Sequence, residues 1–329
     1  MRRALVVSGG GSKGAYAVGV AKVLKEKNLT FDVICGTSTG GLITPFLTIG
    51  RLDLAEHLYT TVKTKDILVY RSAAQILKGP SFADFGPLYK KLQESIDEDI
   101  GTAVLTSSTR MFLTTTRLQD RASVFFHNLD APPGLQGLNL EKITDTATLR
   151  RVMLATASMP GFAEPVSIPP GKTEYQHVDG GVRENTPLMV PVAMGIEEIY
   201  VILLSPQTSA PPDKTSQYKT LPAVVGRTAD ALTTDVSEND INAVTQAREL
   251  RKLFDGAASA ISHDTTMTGP QVRDALFAAN PKLGALARTT FTIIGPSASL
   301  ANNVLDFNPT LMKKMLAQGE VDARKALGS

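Results

Sequence analysis

The chain has 329 residues, 43% hydrophobic and 20% charged, enough to bury a sizeable globular core. Its 34 Lys+Arg against 32 Asp+Glu leave a formal net charge of +2, without the basic excess expected of a nucleic-acid binder. Cys35 is the single cysteine, which excludes an intrachain disulfide framework, and the four histidines (His57, His127, His177 and His263) lack metal-ligand spacing, so neither a metal nor another cofactor is expected.

In chain order, the first element is the apolar run Leu5–Val7, ended by glycines. Four apolar residues before Ser8 are too few for a secretory core segment, and no window reaches the roughly 20 apolar residues of a membrane-spanning helix. A cytoplasmic or peripheral membrane protein is therefore expected. Gly14–Glu26 carries Ala17, Val20, Ala21 and Leu24 at helical spacing. Phe31–Cys35 reads as a second strand and Leu42–Ile49 as the helix after it. Strand, turn and helix twice over predict a parallel sheet with helices on its faces.

Met111–Thr116 and Ser123–Phe126 read as paired strands joined by a polar turn, which makes the predicted sheet mixed. Thr146–Ser158 reads as a helix stopped by Pro160-Gly161, and Gln176–Asp179, Ile199–Leu204 and Phe291–Ile294 read as strands. Ser205–Thr220, rich in Ser, Pro, Thr and Lys, is expected to be an exposed loop before a long helical stretch around Val236–Phe254. Asn308-Pro309 supplies a cap and a first-turn proline for a helix through Leu316. The expectation is one domain over residues 1–329, with 206–288 its least defined part.

Three motifs carry chemistry. Gly9-Gly10-Gly11-Ser12-Lys13-Gly14 sits at a strand-to-helix turn and matches G-x-G-x-x-G. A plain tight turn fits it as well as an anion cradle, in which bare N–H groups and a helix dipole face a negative oxygen. A dinucleotide fits less well, because Asp32 stands at the start of its strand where an acidic residue is needed at the end. Gly36-Thr37-Ser38-Thr39-Gly40-Gly41 contains G-x-S-x-G between a strand and a helix, the context of a nucleophile elbow whose flanking residues must be small. Asp179-Gly180-Gly181, with Asn185-Thr186-Pro187 behind it, ends a strand; taken alone it reads first as a turn former and only second as a base presented at the sheet edge.

Together and in this order the three motifs resemble the patatin-like phospholipase family. Ala157-Ser158-Met159-Pro160-Gly161-Phe162, the paired strands of Thr114–Phe126, and Asp306-Phe307-Asn308-Pro309 are similar to further parts of that family, while Gln207–Arg288 matches diffusely. The resemblance implies a three-layer α/β/α fold with a mixed, mostly parallel sheet. It implies a Ser38/Asp179 dyad, an oxyanion hole from Gly10 and Gly11 helped by Thr39, and supporting glycines at Gly9, Gly14, Gly36, Gly40, Gly180 and Gly181. The substrate it implies is a phospholipid or other acyl lipid, met at a membrane or micelle surface.

Lys13 stands where the family carries Lys or Arg, so it reads either as a binder of lipid phosphate or as a contact that holds the loop. His177, two residues before Asp179, falls on the same strand face and reads as a packing histidine or a third catalytic member. Cys35 reads as a small buried strand residue. Acyl transfer to an acceptor other than water, a nucleotide-binding oxidoreductase and a non-catalytic lipid-binding protein are the competing functions. Apolar residues in Ile67–Phe85 and Gln207–Val225 are expected to form a rim that meets aggregated substrate.

Overall fold

A computed structural model of the chain describes residues 2–130, 134–169, 175–206, 217–261, 289–301 and 303–328, with residues 268, 271, 275 and 278 between them. β1 (Arg3–Val7) leads through a 3-10 turn into α1 (Gly14–Glu26), and β2 (Val33–Thr37) leads into α2 (Thr39–Thr48). Short helices follow: α3 (Leu52–Thr61), α4 (Thr64–Ile67), α5 (Ala73–Lys78), α6 (Gly86–Ser95) and α7 (Glu98–Thr106). Among them, β3 (Val69–Tyr70) and β4 (Ala83–Asp84) form a small antiparallel ribbon.

The strands β5 (Arg110–Arg117), β6 (Ala122–His127) and β7 (Asn139–Lys142) precede α8 (Thr146–Thr156), then β8 (Val166–Ser167) and β9 (Gln176–Asp179). α9 (Met189–Ala193), β10 (Glu198–Ile202), α10 (Leu221–Ile261), β11 (Thr290–Ile294) and α11 (Pro309–Ala326) complete the described elements. The main sheet runs β11-β10-β1-β2-β5-β6-β7, with β9 beside β5 and β8 beside β9. Parallel pairing joins β11 through β5 and also β6 to β7, while β5 pairs antiparallel with β6 and β9. The fold is a three-layer α/β/α arrangement around a mixed, mostly parallel sheet.

The central strands read as continuous apolar runs because both of their faces are covered. Leu5, Val7 and Ile34 enter one core with α1, α2 and α11. Ala4, Val6, Val33 and Cys35 enter the other, which contains Leu188, Val190 and Val244. Buried alternation on both faces is the period-two geometry of a strand between two helical layers.

Several boundaries differ from the sequence reading. β2 starts at Val33 and α2 at Thr39, directly after Ser38. α8 ends at Thr156, and α11 continues to Ala326 after the cap in which the Asn308 side chain accepts from the Thr310 and Leu311 N–H groups. The largest difference is α10, which begins at Leu221, fifteen residues before the expected stretch. Its first turns carry Thr228, Asp230, Thr233 and Thr234, polar residues of modest helix propensity that blur the apolar period. Within Ser205–Thr220, residues 207–216 lie outside the described residues, as does His263.

What matters for function is the use made of β5. Its first half pairs with β2 in parallel, Thr37 opposite Thr114, and its second half pairs with β9 antiparallel, Asp179 opposite Thr115. β2 and β9 thus approach each other head-on along one side of a single strand, carboxyl end to carboxyl end.

Candidate active site

Ser38 is the first residue past β2 and has φ 56° and ψ −125°, a conformation that a side chain rarely adopts and that the surrounding packing must impose. Close backbone approach is the cause. A Cβ on Gly40 would stand 2.2 Å from the Val7 carbonyl oxygen, and one on Gly36 would stand 2.4 Å from Thr44 Oγ1 and 2.5 Å from the Gly40 carbonyl oxygen. The Ser38 N–H donates to Thr156 Oγ1 at 2.9 Å, and that hydroxyl donates to the Thr114 carbonyl at 2.6 Å. The elbow is therefore tied by Thr156 to the β5 peptide at the junction of β2 and β9.

The glycine loop lies beside it. Gly9 N–H donates to the Asn185 carbonyl at 3.0 Å, Ser12 N–H to the Val304 carbonyl at 2.8 Å and Lys13 N–H to the Gly10 carbonyl at 3.2 Å. The N–H groups of Gly10 and Gly11 have no backbone acceptor among the described residues. Thr39, at the first position of α2, likewise has no intrahelical acceptor for its N–H. Its side chain hydrogen-bonds the Tyr59 hydroxyl.

Asp179 ends β9 and is 3% exposed. Its N–H donates to the Ser158 carbonyl at 2.9 Å, which ties β9 to the segment after α8, and its Oδ1 accepts from Gly181 N–H at 2.7 Å. Burial pushes the carboxyl up to about 6, while the neighbouring Ser38 hydroxyl and the Gly181 N–H act in the lowering direction. A Cβ on Gly180 would stand 2.4 Å from the Thr114 carbonyl oxygen, so this turn also fits β5 by lacking a side chain.

Gly11, Ser38, Thr39 and Asp179 line one pocket, whose other walls include Leu42, Phe46, Leu58, Phe85, Leu92 and Phe307. A hydroxyl, a buried carboxyl and unpaired N–H groups thus meet at an apolar cavity, an arrangement suited to nucleophilic attack on a carbonyl beside a hydrocarbon chain.

The sequence model of patatin-like phospholipases matches residues 5–192, which contain all three motifs. The chain belongs to the patatin-like phospholipase family. It is 24% identical over 197 residues to the cUMP-AMP-activated phospholipase of Escherichia coli, a match covering 58% of each protein. It is 27% identical over 217 residues to the uncharacterized protein YqhO of Bacillus subtilis (strain 168), covering 64% of this chain and 73% of that one. The chain therefore spans less than two thirds of the length of the first of these relatives. Among solved structures, VipD from Legionella pneumophila is similar with a TM-score of 0.48 at 12% identity, over 99% of this chain and 67% of that one.

Other residues singled out in this patatin-like chain lie apart from the pocket. Lys13 is buried, with Nζ 3.2 Å from Ser205 Oγ and 3.5 Å from Asp230 Oδ1, so its ammonium is engaged within the protein. His177 is fully buried, its Nδ1 2.9 Å from Thr115 Oγ1 and its ring edge-on to Phe126; burial and the nearby Arg117 push it down to about 4. It packs as a neutral imidazole and does not line the pocket. His57 is exposed on α3, and His127 bonds the Leu129 carbonyl through Nδ1. Burial in β2 pushes the Cys35 thiol well up. Asp32 precedes β2 and accepts from the Arg3 N–H at 2.8 Å, at the sheet end away from Ser38, where it cannot meet a ribose held by the glycine loop.

The sequence reading gave Thr156 no role and named Asn185 only as a residue behind the Asp179-Gly180-Gly181 turn, yet both hold the site together, Thr156 through its hydroxyl and Asn185 through its backbone carbonyl. Both work through hydrogen bonds to distant loops, and neither stands at a spacing that announces the role. Among the described residues, no group of His, Cys, Asp or Glu is arranged to hold a metal ion, and no helix is long and apolar enough to cross a membrane.

Proposed function

We propose that the protein is a lipid acyl hydrolase of the serine esterase type, with Ser38 as nucleophile and Asp179 as general base. Ser38 Oγ attacks the ester carbonyl carbon as its proton passes to Asp179, and the carbonyl oxygen takes the negative charge against the Gly10, Gly11 and Thr39 N–H groups. The tetrahedral intermediate collapses, and Asp179 returns the proton to the departing alcohol. A water molecule then gives a proton to Asp179 as it attacks the acyl-serine carbonyl carbon. When this second tetrahedral intermediate collapses, Asp179 passes that proton to the departing Ser38 Oγ, which releases the fatty acid and restores the free serine and carboxylate. A carboxyl held near 6 suits this exchange better than an ordinary aspartate, because a base works best when its pKa approaches the working pH.

The observation that carries the reading is the head-on meeting of β2 and β9 on β5, with Ser38 and Asp179 in one apolar pocket beside two unused N–H groups. The apolar lining of the pocket suits a hydrocarbon chain of the substrate. Ile67 and Phe85 line that pocket, and between them Val69, Tyr70 and Leu77 are 53%, 51% and 88% exposed. This apolar rim supports phospholipid or related acyl-lipid substrate taken from a membrane or micelle surface, with the protein in peripheral contact.

Ser38→Ala is expected to fold with unchanged melting and to lose ester hydrolysis together with labelling by a fluorophosphonate. Near wild-type turnover in that variant would refute the assignment. Product analysis with an added alcohol separates hydrolysis from acyl transfer.

A further inference from the structure

α10 lies beyond the residues matched by the family model, yet one stripe of it reaches both loops of the site. A Cβ on Gly226 would stand 3.3 Å from the Phe162 ring, Asp230 faces Lys13, and Thr233 Cγ2 is 3.3 Å from where a Cβ on Gly181 would be. Ser237 Oγ is 2.7 Å from Thr186 Oγ1, and Asp240 Oδ2 accepts from the Thr186 N–H at 2.9 Å. Positions 226, 230, 233, 237 and 240 are spaced by four and three, so they form one helix face.

The contact with the glycine loop bears most directly on chemistry. Lys13 is 5% exposed, and an ammonium so buried is costly without a counter-charge. Burial pushes its pKa down, and Asp230 is the strongest influence in the other direction. The same carboxylate also binds Arg227 at 2.7 Å, so it bridges two cations. The Lys13 N–H donates to the Gly10 carbonyl, and that carbonyl belongs to the planar peptide whose other end is the Gly11 N–H. Whatever holds Lys13 therefore sets the direction of an N–H assigned to the oxyanion.

We propose that Asp230 is a positioning residue for the reaction, holding Lys13 so that the Gly10-Gly11 peptide presents its N–H to the developing oxyanion. The inference rests on the Ser38 hydrolase reading. α10 then belongs to the catalytic apparatus although it touches no reacting atom.

The test uses the full chain and a water-soluble nitrophenyl ester. Asp230→Ala is expected to lower kcat about 10-fold or more while KM stays within about twofold, the pattern of an interaction made in the transition state. Asp230→Glu should recover most of the loss, and Glu249→Ala, in an exposed pair farther along the same helix, should leave kcat unchanged. Because Asp230→Ala leaves a buried cation unpaired, the double variant Lys13→Met/Asp230→Leu is measured beside its singles. If one contact carries the effect, the double has a kcat well below wild type and no lower than the worse single. A wild-type kcat in the double, strictly additive losses, or an Asp230→Ala kcat within twofold of wild type would overturn the proposal. An active Ser38→Ala would instead remove the reading beneath it, so the two failures are distinguishable.

Discussion

The elbow around Ser38 and the stripe of α10 both touch the loops of the candidate site, and they do so by different means. At the elbow, backbone meets backbone: Gly36 and Gly40 stand where a single methyl would strike a carbonyl oxygen. Along α10, side chains do the work, through Asp230 on Lys13 and through Ser237 and Asp240 on Thr186. Geometry enforced by excluded side chains has no charge to titrate and little room to adjust. Geometry enforced by paired polar groups can be tuned by pH and by substitution of either partner.

The largest expected effect follows from that rigidity. Gly40→Ala places a methyl 2.2 Å from the Val7 carbonyl oxygen and should cost about 3 kcal/mol or more in stability and abolish turnover, measured by denaturant unfolding and ester hydrolysis. The same change at Gly256 on α10, where a Cβ meets nothing within 4 Å, should raise stability by about 0.5–1 kcal/mol. Equal effects at the two positions would erase the contrast.

Next comes the glycine loop, which belongs to the rigid region but is aimed at chemistry. Gly11 has φ +59°, and a Cβ there would stand 2.1 Å from the Val304 carbonyl oxygen. Gly11→Ala should displace the N–H and lower kcat about 100- to 1,000-fold, with a smaller change in KM. Steady-state kinetics on a soluble ester would show it.

The smallest effect belongs to the polar region. Burial pushes Glu184 up to about 8, and Asp240 up to about 7, and the charge of Asp240 adds to the rise at Glu184. The folded state therefore holds these protons more tightly than the unfolded chain. The stability they bring is complete below the ordinary carboxylate range near pH 4 and is lost as the pH rises through about 7 and 8. Melting temperature should fall across that window, and Asp240→Asn should flatten the slope.

The same contrast explains what was legible in the sequence. Glycine runs after apolar strands marked Gly9 to Gly14, Gly36 to Gly41 and Gly180-Gly181, because close backbone approach demands that residue and leaves it in view. The continuous apolar run Leu5–Val7 before the glycines marked a strand, and in the structure its residues alternate between two cores. The roles of Thr156, Asn185, Asp230 and Asp240 were not legible, since each acts on a residue far along the chain, Asn185 through its backbone carbonyl and the others through side chains of types common on any helix. The short helices between Leu52 and Thr106 were missed for a related reason. They wall the pocket through scattered residues such as Leu58, Leu88 and Leu92, and no single one is long enough for its period to stand out.

The central claim is that Asp179, reached by β9 across the end of β2, is the general base and that His177 is a packed neighbour. The direct measurement is the pH profile of kcat/KM for the wild type, Asp179→Asn and His177→Ala, each at matched folding by thermal melting. The wild type should lose activity as the pH falls through about 6, because Asp179 then takes up the proton it must accept from Ser38. Asp179→Asn should fall about 100-fold or more and lose that acidic limb, while His177→Ala should keep both the limb and most of its turnover. A His177→Ala variant as inactive as Ser38→Ala, beside an Asp179→Asn variant that retains substantial activity and the limb near 6, would contradict the account.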